Sequence, residues 1–159
     1  MKITILCVGK IKEKYFKEAV LEYSKRLGRY CKLDIIEVAD EKTPEKASVN
    51  EENLIREKEG ERLKKYIKDD AYVIVLAINA RQASSEDFAK RIDMLGIQGK
   101  SHIIFIIGGS IGIDEKIVKN ADECISFSNM TFPHQLMRVV LLEQIYRAYR
   151  IINGEPYHK

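Results

Sequence analysis

The chain has 159 residues, the size of one domain able to bury roughly two-thirds of its unfolded surface. Hydrophobic residues make up 45% and charged residues 32%, a globular balance that excludes disordered and fibrous classes. The longest apolar run, Ala71 to Ile78, is too short to cross a bilayer, and Ile3 to Val8 runs into Lys10, Lys12 and Lys14 instead of a signal-peptide cleavage site. We expect a cytoplasmic protein without a membrane span.

The net charge of +3 is unevenly spread: +6 over residues 1–32, −4 over 33–70, −1 over 71–125 and +2 over 126–159. Basic ends around an acidic middle can present a phosphate-facing surface despite a modest total. Cys7, Cys31 and Cys124 lie far apart, and with three histidines they make no zinc-ligand spacing, so reduced thiols and no metal are expected.

In chain order, Ile3–Val8 reads as a strand closed by Gly9. Phe16, Ala19, Val20, Tyr23 and Leu27 fall at helical spacing, with Gly28 as the stop. Leu33–Val38 is the second strand. Residues 40–61 begin as a polar loop and lead into a helix with a thin apolar stripe of Leu54, Ile55, Leu63, Tyr66 and Ile67, ended by Asp69 and Asp70. Tyr72–Ile78, apolar throughout, suits a strand covered on both faces. Ser84 with Asp87 resembles a capping box before a helix that buries Phe88, Ile92 and Leu95, with Gly96 and Gly99 as breakers. His102–Ile107 is another apolar strand, Asp114 opens a short helix, and Glu123–Phe127 is the last strand. The alternation predicts α/β architecture in a single domain, 1–159: a parallel sheet with helices on both faces. The final helix, about Pro133 to Ile152, is apolar on nearly every side, so one face is left for a partner subunit.

Three segments stand out chemically. The turn Gly108–Gly112 follows a buried strand, where ligands bind in open α/β sheets, yet it matches neither a P-loop nor a dinucleotide fingerprint and equally suits a tight structural turn. The connection SFSNMTFPHQ, Ser126 to Gln135, either plugs a sheet edge or reads a ligand through its backbone while Phe127, Met130 and Phe132 cover it. Basic and aromatic residues interleave in YRAYRIINGEPYHK, as phosphate contact and base stacking require, although a terminal histidine is more often simply a surface residue.

IIGGSIG (Ile106 to Gly112), SFSNMTFPHQLMRVVLLEQIYRAYRI (Ser126 to Ile151), GEPYHK (Gly154 to Lys159) and the opening ITILCVGKIKEKYFKEAVLEYSKRL (Ile3 to Leu27) together resemble the RlmH family of SPOUT-class 23S rRNA pseudouridine methyltransferases. The resemblance runs the full length of the chain. It implies a SPOUT-type α/β knot, a deep trefoil formed towards the C-terminus, which connection rules would otherwise count as improbable. It implies a homodimer and methylation of ring nitrogen 3 of a pseudouridine within the ribosome. S-adenosylmethionine would then be held by Leu76, Gly108, Phe127, Ser128, Asn129, Met130, Thr131 and Phe132. Nitrogen 3 must lose a proton, for which His134, Glu143, Tyr157 and His158 are candidates, with Arg147 as a further catalytic candidate. Arg138, Arg147 and Lys159 would meet RNA. Two competing readings are a non-catalytic ribosome-binding module of the same fold and a nicotinamide-dependent oxidoreductase, the latter weakened by the missing fingerprint.

Overall fold

The computed structural model describes Met1–Lys159. Five strands, β1 (Lys2–Val8), β2 (Lys32–Val38), β3 (Tyr72–Gln82), β4 (His102–Ile107) and β5 (Glu123–Ser126), alternate with five helices, α1 (Lys14–Leu27), α2 (Val49–Lys64), α3 (Ser85–Ile97), α4 (Glu115–Asn120) and α5 (His134–Ile152). All strands are parallel, in the order β2-β1-β4-β3-β5. Parallel pairing demands crossovers, which bury both faces of the sheet; hence β4 is buried along its whole length.

Strand alternation sorts the core into two layers. Ile3, Ile5 and Cys7 of β1 and Ile103, Phe105 and Ile107 of β4 face α1, α3 and α5, whose Leu27, Phe88, Ile92, Leu142 and Ile145 complete that layer. Leu6, Val8, Ile104 and Ile106 face the other way, against Leu63 of α2 and Ile117 of α4. The buried polar pair between β1 and β4 is satisfied: Thr4 and His102 lie 2.9 Å apart, Oγ1 to Nε2.

Helix starts follow local chemistry. Ser48 and Glu51 form a reciprocal capping box, so α2 begins at Val49, well inside the stretch whose first part the sequence suggested was loop. Ser84 accepts the Asp87 amide hydrogen at 3.1 Å and opens α3, while Asp114 caps α4 through the Lys116 amide. Strand β3 continues past Ile78 to Gln82, because its pairing with β5 is interrupted between Leu76 and Arg81 and then resumes. No helix is long and apolar enough to cross a membrane.

Candidate active site

The carboxyl ends of β3, β4 and β5 and the start of α5 surround a cavity of about 710 Å³, within the range of small-molecule sites. Three chain segments build its wall: Leu76 to Ile78 at the β3 irregularity, Ile107 to Ile113 after β4, and Ile125 to His134 between β5 and α5, joined by Val118 and Met137.

The glycine turn folds back on itself, the Gly112 amide donating to the Gly109 carbonyl at 3.2 Å. Gly112 has φ of +92° with open space where a Cβ would lie, so this position needs glycine for its backbone. Gly108 needs it for a different reason: a Cβ there would come within 2.5 Å of Ile113 Cγ1 and 2.8 Å of the Gly112 carbonyl oxygen. The turn is seated on α2, whose Arg56 donates to the Ile111 carbonyl at 3.0 Å. Buried Glu59 lies beneath Gly109, and its carboxyl is pushed above the usual carboxylate range by desolvation, an effect opposed by the Glu41 amide.

In the connection to α5, Ser126 Oγ donates to the Ser128 carbonyl and Ser128 Oγ accepts the Met130 amide, each at 3.0 Å. Of the backbone amides from Phe127 to Phe132, only that of Met130 finds an acceptor in the protein. The others are free to meet a ligand or water. Of the residues the sequence assigned to this pocket, Leu76, Gly108, Phe127, Ser128, Met130, Thr131 and Phe132 line it, and Asn129 does not. Met130 is 72% exposed, an apolar side chain left open at the rim.

His134 is the one acid–base candidate on this wall. Burial lowers its pKa, the Arg138 charge lowers it further and Asp40 opposes both, so the ring is neutral near pH 7. Arg138 corrects the sequence expectation that it meets RNA. It is 1% exposed, and its guanidinium donates to the Val8 and Gly9 carbonyls at 3.0 and 2.6 Å and to Glu37 at 2.5 Å. Nothing in the residue type distinguishes such a clamp from a phosphate contact; only its place on the inner face of α5 does.

The remaining candidates gather elsewhere. Helical rise puts Glu143 about 13 Å and Arg147 about 20 Å along α5 from His134, and neither lines the cavity. Glu143 accepts from Arg147 at 2.5 Å and from the Tyr157 hydroxyl at 3.0 Å. Arg147 covers the Tyr157 ring at 4.7 Å and reaches His158 Nδ1 at 3.3 Å, while His158 Nε2 lies 2.8 Å from Glu86. Arginine only donates, so Nδ1 accepts and the His158 proton sits on Nε2. Burial and the Glu143 contact push the Tyr157 hydroxyl up to about 12, which keeps it protonated. Lys159 is exposed. The tail is thus docked on its own chain, with Glu155 bound to Tyr30, Arg29 and Arg150 and the Pro156 carbonyl to Arg150. No group of three or more His, Cys, Asp or Glu side chains is placed to hold a metal.

A parallel α/β sheet with an apolar cavity at its carboxyl edge defines an α/β domain with a small-molecule site where such sheets place theirs. The family model described as "Predicted SPOUT methyltransferase" matches residues 1–158, and the chain belongs to that family. Over all 159 residues, with both chains fully covered, it is 65% identical to "Ribosomal RNA large subunit methyltransferase H" of Bifidobacterium adolescentis and 60% identical to the protein of that name from Clostridium kluyveri. A solved "probable methylase family protein" from Haemophilus influenzae superposes with a TM-score of 0.55 at 11% identity, covering 99% of this chain and 70% of that one; this likeness concerns the fold alone.

Proposed function

We propose that the cavity binds S-adenosylmethionine and that the protein methylates ring nitrogen 3 of a pseudouridine in 23S ribosomal RNA, in the cytoplasm and on the assembled ribosome. The observation that carries this reading is the meeting of the glycine turn, the Ser126–Gln135 connection and the end of β3 around one cavity. The full-length likeness to large-subunit RNA methyltransferases supports it.

The wall suits the cofactor. Ile107, Val118, Ile125 and Met137 offer an apolar bed for an adenine ring, and the unpaired amides between Phe127 and Phe132 offer donors along its edge. When bound, S-adenosylmethionine supplies a methyl group already activated on sulfonium sulfur, so the protein's task is alignment and exclusion of water. Neutral His134, on the wall, can accept the proton that nitrogen 3 must lose. His158 has its lone pair engaged by Arg147, and Glu143 is occupied by Arg147 and Tyr157, so neither is a free base until RNA displaces those contacts.

The two separated clusters of candidates find a common explanation in a homodimer. Leu136, Val139 and Val140 remain half-buried on α5, in line with Glu143 and Arg147. A second copy against this stripe would bring Arg147, Tyr157, His158 and Lys159 of one chain towards the cavity of the other. The β3, β4 and β5 order, with α5 packed back on α1 and α3, suits the trefoil knot that the family resemblance implies.

Calorimetry tests the cofactor assignment directly. Saturable heat with S-adenosylmethionine and none with NAD is expected; heat with NAD alone would make the domain a nicotinamide enzyme, and heat with neither would remove the cavity from the mechanism.

A further inference from the structure

The connection Gly9–Glu13 between β1 and α1 is exposed at Lys10 and Lys12, and α1 opens with exposed Lys14 and Lys17. Such lysines are commonly just solvated, but the backbone of this connection is held with unusual thoroughness. The buried Arg138 fork grips the Val8 and Gly9 carbonyls, and Glu37, also held by Arg138, accepts the Ile11 amide at 2.9 Å. The Lys12 amide donates at 3.3 Å to Gln135, the residue after His134. Gly9 itself takes φ of +85°, and a Cβ there would lie 3.6 Å from His134 Nε2 and 3.7 Å from Asp40 Cγ.

These contacts fix the backbone to the start of α5, next to His134 of the cavity wall, and leave the lysine side chains exposed. Residues 10–17 carry four lysines against one glutamate, Glu13. The only ion pair among them, Lys14 with Glu18 at 3.7 Å, joins side chains 89% and 63% exposed and holds neither firmly. Lys10, Lys12 and Lys17 form no ion pair within the chain. Tyr15, 63% exposed and 4.5 Å from the Phe16 ring, adds an aromatic face. A rigid, unpaired cationic edge with an exposed ring, tied to the residue beside His134, fits a phosphodiester backbone with unstacked bases.

We infer that Lys10, Lys12 and Lys17 grip the phosphates flanking the nucleotide presented to the cavity, with Arg138 as the positioning residue that fixes their loop. The inference rests on the reading of the cavity as an RNA methyltransferase site and names the RNA surface of that same site. It adds backbone recognition on β1–α1, whereas the sequence pointed to Arg138, Arg147 and Lys159.

The test is the triple variant K10A/K12A/K17A beside its arginine counterpart K10R/K12R/K17R. Methyl transfer is measured against the concentration of unmodified ribosomes, and binding to naked 23S RNA is measured over a salt series. The alanine variant should bind S-adenosylmethionine as the parent does, need at least about 10-fold more ribosomes for half-maximal transfer, and lose about 2 from the slope of log affinity against log salt, roughly 0.7 per lost contact on a single strand. The arginine variant should recover most of both. An unchanged slope overturns the inference even where the parent methylates ribosomes normally. Weakened binding to ribosomes with unchanged binding to naked RNA overturns it too, assigning the edge to a ribosomal protein. Should the parent itself neither bind nor methylate ribosomes, the reading of the cavity fails, and that result is separate from any effect of the lysines.

Discussion

Replacing Arg138 by methionine should cost more stability than any surface arginine. The change removes a guanidinium that is 1% exposed and leaves two backbone carbonyls and the Glu37 carboxylate without their donor. Breaking a buried ion pair from one side costs about 3–5 kcal/mol. Glu37 is 33% exposed, so water recovers part of its loss, and we place the cost near the lower end, about 3 kcal/mol. For a chain of this length that is a fall in melting temperature of roughly 6–12 °C. R138K, which keeps the charge but cannot fork to two carbonyls at once, should lie between the parent and R138M. R29M is the control: Arg29 is 72% exposed and should change stability by less than about 0.5 kcal/mol. Urea and thermal unfolding of the three variants decide the matter. In R138M, nuclear magnetic resonance should also show the His134 pKa moving up, since the lost charge is one cause of its depression. A melting temperature within a degree of the parent, together with weakened RNA binding, would mean that Arg138 faces RNA after all.

Gly108→Val should weaken S-adenosylmethionine binding because its side chain collides with Ile113 and the Gly112 carbonyl and forces the turn open, whereas Gly112→Val acts through backbone strain of about 1–3 kcal/mol; calorimetry and unfolding, run together, separate the two causes. Deleting Tyr157–Lys159 should leave cofactor affinity nearly unchanged and lower single-turnover transfer by at least about 100-fold. A mixed dimer of a tail-less chain with a Gly108→Val chain should keep one working site if tail and cavity come from different subunits, and none if they come from the same one. Leu142→Asp and Ile145→Asp should unfold the chain, as both side chains are fully buried within it, whereas Val139→Asp on the half-buried stripe should turn the proposed dimer into monomers in sedimentation. His102 is held below its ordinary pKa by burial and by Lys2, so the unfolded chain takes up its proton first; stability present above about pH 6.5 should decline as the pH falls through that value, and H102Q should flatten the urea midpoint against pH.

Sheet composition and helix positions were legible because period and burial agree: β4 is apolar along its length and runs through the middle of the sheet. The cavity wall was legible in part, since glycines after a strand and the apolar, hydroxyl-rich connection mark a carboxyl edge, and Ile107, Ile113, Val118 and Met137 could not be told from ordinary core. The constraint on Gly108 was not legible, because it is a collision inside the turn that only the folded geometry creates, while the positive φ belongs to Gly112. The start of α2 carried a signal that charge density obscured, the Ser48–Glu51 spacing. Arg138 and the tail show the limit of residue types. Arginine near a basic terminus suits phosphate, yet long-range packing against Val8, Gly9 and Glu37 turns it inward, and no local pattern encodes a contact 129 positions away.

The most direct measurement of the central claim is methyl transfer from labelled S-adenosylmethionine to ribosomes lacking the modification, followed by nucleoside mass spectrometry of the 23S RNA. One methyl group per ribosome is expected, on nitrogen 3 of a pseudouridine, and none when Gly108→Val disrupts the turn that walls the cavity. Transfer to another nucleoside, or full transfer by the Gly108→Val protein, would contradict the claim.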